Sequence, residues 1–84
     1  MAYDIELKPR AIKDLRRIPR NQASRIADAL EALAEGLQGD VKHLTQFTPE
    51  YRLRVGDYRV LFEIEDKHRI IVYRVRHRRE AYRT

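Results

Sequence analysis

Two periods of apolar and polar residues divide this chain. Tyr3, Ile5 and Leu7 alternate with Asp4 and Glu6, the period-two signature of a half-buried strand. From residue 9 the period lengthens. Pro9 suits a first helical turn, and Ile12, Leu15 and Ile18 recur at helical spacing. Pro19 ends that helix and can open the next. Ile26, Leu30, Leu33 and Leu37 then mark one side of a second helix, with Gly36 or Gly39 to end it. Residues 9–37 therefore predict a helical hairpin with one apolar face. Residues 38–50 are irregular, with Leu44 and Phe47 expected to anchor them to the core. Period two returns in three strands, about 50–55, 58–65 and 69–77. The order β-α-α-β-β-β predicts an α+β fold, an antiparallel sheet with the helical hairpin on one face. The pattern does not fix where the first strand inserts.

Alternation assigns the faces. Tyr51, Leu53 and Val55 point one way, Arg52 and Arg54 the other. Gly56-Asp57 reads as a two-residue turn with glycine first, as type II′ prefers. That turn sets Val55 against Tyr58, Arg54 against Arg59, Leu53 against Val60 and Tyr51 against Phe62. Tyr58, Val60, Phe62 and Ile64 face the helices, and Arg59 joins Arg52 and Arg54 on the open side. A second turn at Asp66-Lys67 would place Phe62 against Ile71, Val60 against Tyr73 and Tyr58 against Val75. Arg54, Arg59 and Arg74 would then form a row across three strands, continued by Arg76 and Arg78. His77 alternates with Val75, so a regular strand turns it inward. Like charges opposite each other destabilise a sheet by roughly a few tenths of a kcal/mol per pair. An anionic ligand on the open face resolves this; partial neutralisation by Asp57, Glu63 or Glu65 is the competing explanation.

Composition strengthens the first of these. The chain has 84 residues and a formal charge of +5, and it lacks cysteine, which excludes disulfides and thiolate metal sites. At this length a single domain, 1–84, is expected. Residues 50–84 hold ten Lys/Arg against six Asp/Glu, while residues 1–49 hold eight against seven. Nine of those ten are arginine, whose planar fork fits phosphate and never loses its charge. Such a basic half points to a polyanion, most often nucleic acid. No apolar run spans a membrane, and the N-terminus does not read as a signal peptide, so the cytoplasm is the expected compartment. No glycine-rich phosphate loop or metal-ligand spacing occurs, and neither cofactor nor metal is expected.

The strand order, "YRLRVGDYRVLFEI" in the middle and "VRHRREAY" near the end together resemble toxins of the RelE/ParE superfamily of type II toxin–antitoxin systems, nearest the RelE branch. The resemblance covers nearly the whole chain. It implies a fold like that of small microbial ribonucleases and cleavage of messenger RNA in the ribosomal A site. Carried over, the basic positions of the second strand fall on Arg52 and Arg54, the "YR" arginine is Arg59, the C-terminal arginine is Arg78 and the tyrosine is Tyr82. Arg74, Arg76, His77 and Arg79 are the further RNA-binding candidates. Where the best-known form of the family has lysines in the second strand, this chain has arginines, which stabilise charge better than they move protons. The residue before "HR", in the family commonly a small one and often glycine, is here Arg76.

The implied reaction is attack of the RNA 2′-hydroxyl on the adjacent phosphorus, without a metal. Arg54, Arg59 and Arg78 would stabilise the phosphate oxygens, Tyr82 would act as base, and Arg78 would act near the leaving 5′-oxygen, with His77 as a substitute should the strand end twist it outward. Two alternatives stand beside it: inhibition of DNA gyrase, as in the ParE branch, and a non-enzymatic nucleic-acid-binding module. The resemblance also implies a RelB-like antitoxin as partner, the ribosome and mRNA as target, and contact with operator DNA only through the antitoxin complex.

Overall fold

A computed structural model describes residues 2–80. It begins with a short strand, β1 (Asp4–Leu7), and then the helical hairpin, α1 (Pro9–Arg17) and α2 (Arg20–Gly36). Pro9 opens α1 as its missing N–H allows, and Pro19 caps the start of α2. The buried stripe of α1 differs by one residue from the expected one. Ala11 is fully buried, with Leu15 and Ile18 packed beside it, whereas Ile12 is 38% exposed. Alanine is small enough to bring the helix backbone close to the sheet, so it takes the inner position that bulk alone would give to isoleucine. On α2, Ile26, Leu30 and Leu33 are buried and Leu37 packs against the core, as the spacing predicts. Neither glycine is the helix cap: Leu37 takes the left-handed conformation (φ 59°) and its N–H donates to the Leu33 carbonyl at 2.7 Å. Gly39 serves the following bend instead (φ 123°), where an added Cβ would lie 2.8 Å from Leu53 Cδ1.

The segment read as irregular contains a strand, β2 (Asp40–His43), which pairs antiparallel with β3 (Tyr51–Val55). Its one apolar residue, Val41, packs against the core; Phe47, expected to do so, is 42% exposed. Strands β4 (Tyr58–Glu65) and β5 (Arg69–His77) complete a five-stranded sheet in the order β1-β5-β4-β3-β2. All neighbours are antiparallel except β1, which lies parallel to β5 at the edge. The helices cover one face. Against them lie Leu53, Val60, Phe62, Ile70, Val72 and Val75, with Ala11, Ile26, Leu30 and Leu33 opposite. Among the described residues no helix is long and apolar enough to cross a membrane.

The first hairpin has the predicted register, with Arg54 opposite Arg59, and Gly56 alone supplies the positive φ (58°) at the turn. The second hairpin does not. Its loop holds three residues, Asp66, Lys67 and His68, with Asp66 and Lys67 both at positive φ and His68 Nδ1 against the Asp66 carbonyl at 2.6 Å. Phe62 therefore opposes Val72, not Ile71. A bulge then shifts the register between Leu61 and Phe62, leaving Tyr73 without a direct partner, and beyond it Val60 opposes Val75. Two single-residue displacements thus change which residues face inward. Ile70 and Val72 lie in the core while Ile71 is buried on the other face, and the bulge restores Val75 to the inside.

Candidate nucleic-acid interface

The bulge decides which arginines stand abreast. Arg59 opposes Arg54 on one side and Arg76 on the other. By backbone register the row is therefore Arg54–Arg59–Arg76, its last member half-buried and also lining the cleft beside α1, and Arg74 does not belong to it. Arg74 is instead opposite Leu61 and turns toward α1, where Nε and Nη2 donate to the two carboxylate oxygens of Asp14 at 2.8 and 3.1 Å. Asp14 Oδ2 also accepts the Val75 N–H at 3.0 Å. That donor is available because β1 pairs with β5 only as far as Val72, which leaves the rest of the strand to be capped from the helix.

Asp14 is the residue that sequence reasoning missed. An acid on a basic helix reads as solvated; only its place three residues after the buried Ala11 hints that it borders the core. Partial burial raises the affinity of its carboxyl for a proton. The hydrogen bonds from Arg74 and Val75, with the charges of Arg74 and Arg76, outweigh that and hold its pKa below the ordinary aspartate value. Removing Asp14 leaves a strand N–H and a half-buried guanidinium unpaired. Asp14→Ala is expected to cost about 2 kcal/mol near neutral pH. The sign follows from the lowered native pKa. The contribution is fully present above the unfolded value of about 3.9 and is lost as pH falls through the native one. Urea midpoints of parent and variant should thus converge in acid; a gap that is constant from neutral pH down to about pH 2 would contradict this.

The remaining predicted residues fall into three groups. Arg52 is held: its side chain is only 14% exposed, and Nη1 donates to the Asp40 carbonyl at 2.8 Å and to Asp40 Oδ1 at 3.2 Å. Asp40, on the strand that the sequence hid, thereby ties Arg52 to the sheet edge. Arg54 is 58% exposed and lies 3.9 Å from the same carboxylate, too far for a hydrogen bond. Arg59 is braced rather than neutralised, with Nη1 donating to the Gly56 and Tyr58 carbonyls at 3.0 Å each. Arg78 follows β5, and its N–H donates to the Asp57 carbonyl at 2.7 Å, so the strand end is fastened to the β3–β4 turn. Its exposed guanidinium stands 3.9 Å from Asp57 Oδ1. Arg79 is exposed.

His77 faces the helix side, edge-on to Tyr58 with ring centres 5.7 Å apart, and its Nδ1 accepts the Arg79 N–H at 3.3 Å. It stands opposite Tyr58 rather than in the row, and it lines a cleft of about 310 Å³ with Asp14, Arg17, Tyr58, Arg74 and Arg76. The strand end does not twist it outward. Tyr82 lies outside the described residues.

The helix-free face is polarised. Along β4 its outward residues run Arg59, Leu61, Glu63, Glu65, from basic to acidic. Leu61 and Ile71 form a buried apolar centre between the two ends. At the acidic end Glu6 is bonded by Arg69, which with Lys8 lowers its pKa, so the cation there is already matched. The exposed, weakly matched guanidinium groups, those of Arg54 and Arg78, lie by the β3–β4 turn.

The family model for the ParE toxin of the type II toxin–antitoxin system parDE matches residues 5–82. The chain belongs to the RelE/ParE superfamily of toxins. It stands near the RelE branch. A curated protein described as toxin RelE1, from Methanocaldococcus jannaschii, is 31% identical over 96% of this chain and 94% of its own length. Among solved structures, the toxin–antitoxin complex RelB–RelE from Methanococcus jannaschii superposes with a TM-score of 0.74 at 30% identity, covering 90% of this chain and 93% of that one. The archaeal RelE–RelB complex from Pyrococcus horikoshii OT3 gives 0.74 at 25% identity, covering 96% and all of that chain (100%). As in RelE toxin structures, the fold is α+β, with a mostly antiparallel sheet.

Proposed function

We propose that this RelE/ParE-superfamily toxin is a ribosome-dependent endoribonuclease that cleaves mRNA in the A site. The observation that supports this most is the alignment of Arg54, Arg59 and Arg76 across the face that the helices leave bare, with exposed Arg78 fastened beside the turn. Three adjacent like charges destabilise a sheet, and a phosphate group offsets that repulsion. In the proposed reaction the 2′-oxygen bonds to phosphorus as its proton leaves, and the P–O5′ bond breaks as the 5′-oxygen takes up a proton. Negative charge grows on the non-bridging oxygens between these steps, where fixed guanidinium groups lower its energy. Tyr82 is the proposed base and Arg78 the group nearest the leaving oxygen. Among the described residues the row contains arginines alone, with no acid–base pair beside it, so we assign precise placement of the mRNA to the ribosome.

The relatives crystallised as RelB–RelE complexes support a RelB-like antitoxin as partner. Acidic antitoxin segments over the same row would both neutralise and occlude it. Because the matching family model is that of ParE, gyrase inhibition is the second reading. Induced expression separates the two. Primer extension on translated mRNA should reveal new 5′ ends within codons, and these should vanish on co-expression of the antitoxin. Gyrase-linked DNA breaks with intact mRNA would replace the nuclease reading.

A further inference from the structure

The helix α1 carries a second basic surface that the sheet-centred reading does not use. Residues 8–25 contain seven cations and one acid, Asp14, and that acid is bound by Arg74. Arg10, Lys13, Arg16 and Arg17 lie on the side of α1 opposite the buried Ala11, Leu15 and Ile18, as 3.6 residues per turn requires. Arg20 extends the ridge into α2. All five are exposed, and among the described residues none makes an ion pair or hydrogen bond through its side chain.

Stability does not explain this ridge. Arg16 and Arg17 suit the C-terminal end of the helix dipole, but Arg10 stands in the first turn, where an acid is favoured and none is present. Lys13 has like charges three and four residues ahead, at Arg16 and Arg17, a destabilising arrangement. From Arg10 to Arg17 the rise is about 10 Å. That is close to the Debye length of roughly 8–10 Å in physiological salt, so the charges act as one field.

We propose that the α1 ridge binds the phosphate backbone of a folded, double-helical RNA, so that the toxin holds RNA on two faces. Three observations select this partner. The ridge offers no aromatic residue on which a base could stack, which disfavours single strands. Its exposed apolar content is Pro9, Ile12 and Pro19, too little for the buried anchors of a protein interface. Dense, exposed, unmatched cations suit a backbone read by shape and charge. The ridge is also continuous with the sheet. Arg17 lines the same cleft as Arg76 and His77, so the basic surface passes from α1 around the end of β5 to the arginine row. The inference rests on the RNA-directed function proposed above for its choice of RNA.

The test compares the parent with Arg10→Gln/Lys13→Gln/Arg16→Gln/Arg20→Gln and with the charge-keeping Arg10→Lys/Arg16→Lys/Arg20→Lys. Fluorescence anisotropy reads affinity for a blunt RNA duplex of about 20 base pairs over a salt series. The glutamine variant should bind about tenfold or more weakly, with a salt slope shallower by about 1 for each phosphate that it no longer neutralises. The lysine variant should bind as the parent does, and thermal melting should show all three folded. Equal duplex affinity and slope in the glutamine variant would overturn the proposal, as would absence of duplex binding by the parent. So would unchanged duplex binding with loss of affinity for the antitoxin, which would make the ridge a protein-docking surface. Primer extension on the parent is scored separately. If no cleavage occurs but duplex binding still depends on the ridge, the nuclease reading fails and the ridge assignment stands.

Discussion

Arg59→Ala is expected to slow cleavage of translated mRNA by about 100- to 1,000-fold, the usual loss when one fixed donor to a developing oxyanion is removed. Arg59 is the middle member of the row, flanked by Arg54 and Arg76. Its Nη1 is already spent on the Gly56 and Tyr58 carbonyls, which fixes the guanidinium plane before any ligand arrives. The remaining N–H groups can then meet a phosphate without being ordered at the moment of reaction. Arg59→Lys keeps the charge but loses the fork and both bonds to the turn, so it should retain only part of the rate. Folding should scarcely register the alanine substitution, with a change within about 0.5 kcal/mol. One exposed and one part-buried hydrogen bond are lost, while repulsion from two neighbours is relieved. Primer extension at matched toxin levels, with melting curves on the same proteins, checks both halves. Full cleavage by Arg59→Ala would remove the row from catalysis.

Phe62→Ala should have the largest effect on stability. Phe62 is fully buried at the centre of β4, stacked on Tyr51 with ring centres 5.5 Å apart and planes 20° from parallel. Opposite it stands Val72, brought there by the three-residue loop. Truncation removes the largest fully buried side chain of the core and leaves a cavity between strands already paired on both sides. Such changes cost about 3–5 kcal/mol. A chain of this size has roughly 4–13 kcal/mol in total, at 0.05–0.15 kcal/mol per residue. The melting temperature should therefore drop by about 15–30 °C. Phe62→Leu, which keeps most of the volume, should lose less than half as much. A drop under about 4 °C for the alanine variant would mean that the core can collapse around the void.

The sequence shows some parts of this architecture and hides others for physical reasons. The β3–β4 hairpin is legible because glycine fixes its turn and apolar and charged residues alternate strictly on both strands, so Arg54 against Arg59 follows from the pattern alone. Strand β5 is not. Ile70, Ile71, Val72 and Tyr73 form an unbroken apolar run, buried on both faces for much of its length, and such a run carries no parity. Register there depends on a left-handed pair at Asp66 and Lys67 and on the bulge, neither of which leaves a glycine as a marker. That is why Arg74 reads as a member of the row when Arg76 holds the place. Strand β2 escapes notice because an edge strand of four residues needs only one apolar anchor, Val41. Its Asp40, the brace for Arg52, escapes with it.

Among the described residues, β5 is the one strand with neighbours drawn from opposite regions of the chain, β1 and β4, and it supplies the third arginine of the row. The hairpin bearing Arg54 and Arg59 is local in the chain, but the row proposed to meet a phosphate is not complete within it. It becomes whole only when Arg76 swings in alongside and closes the sheet against residues made first. One strand thus links the two ends of the chain to the row: undocking β5 would release β1 from the sheet and take Arg76 from beside Arg59 in the same event.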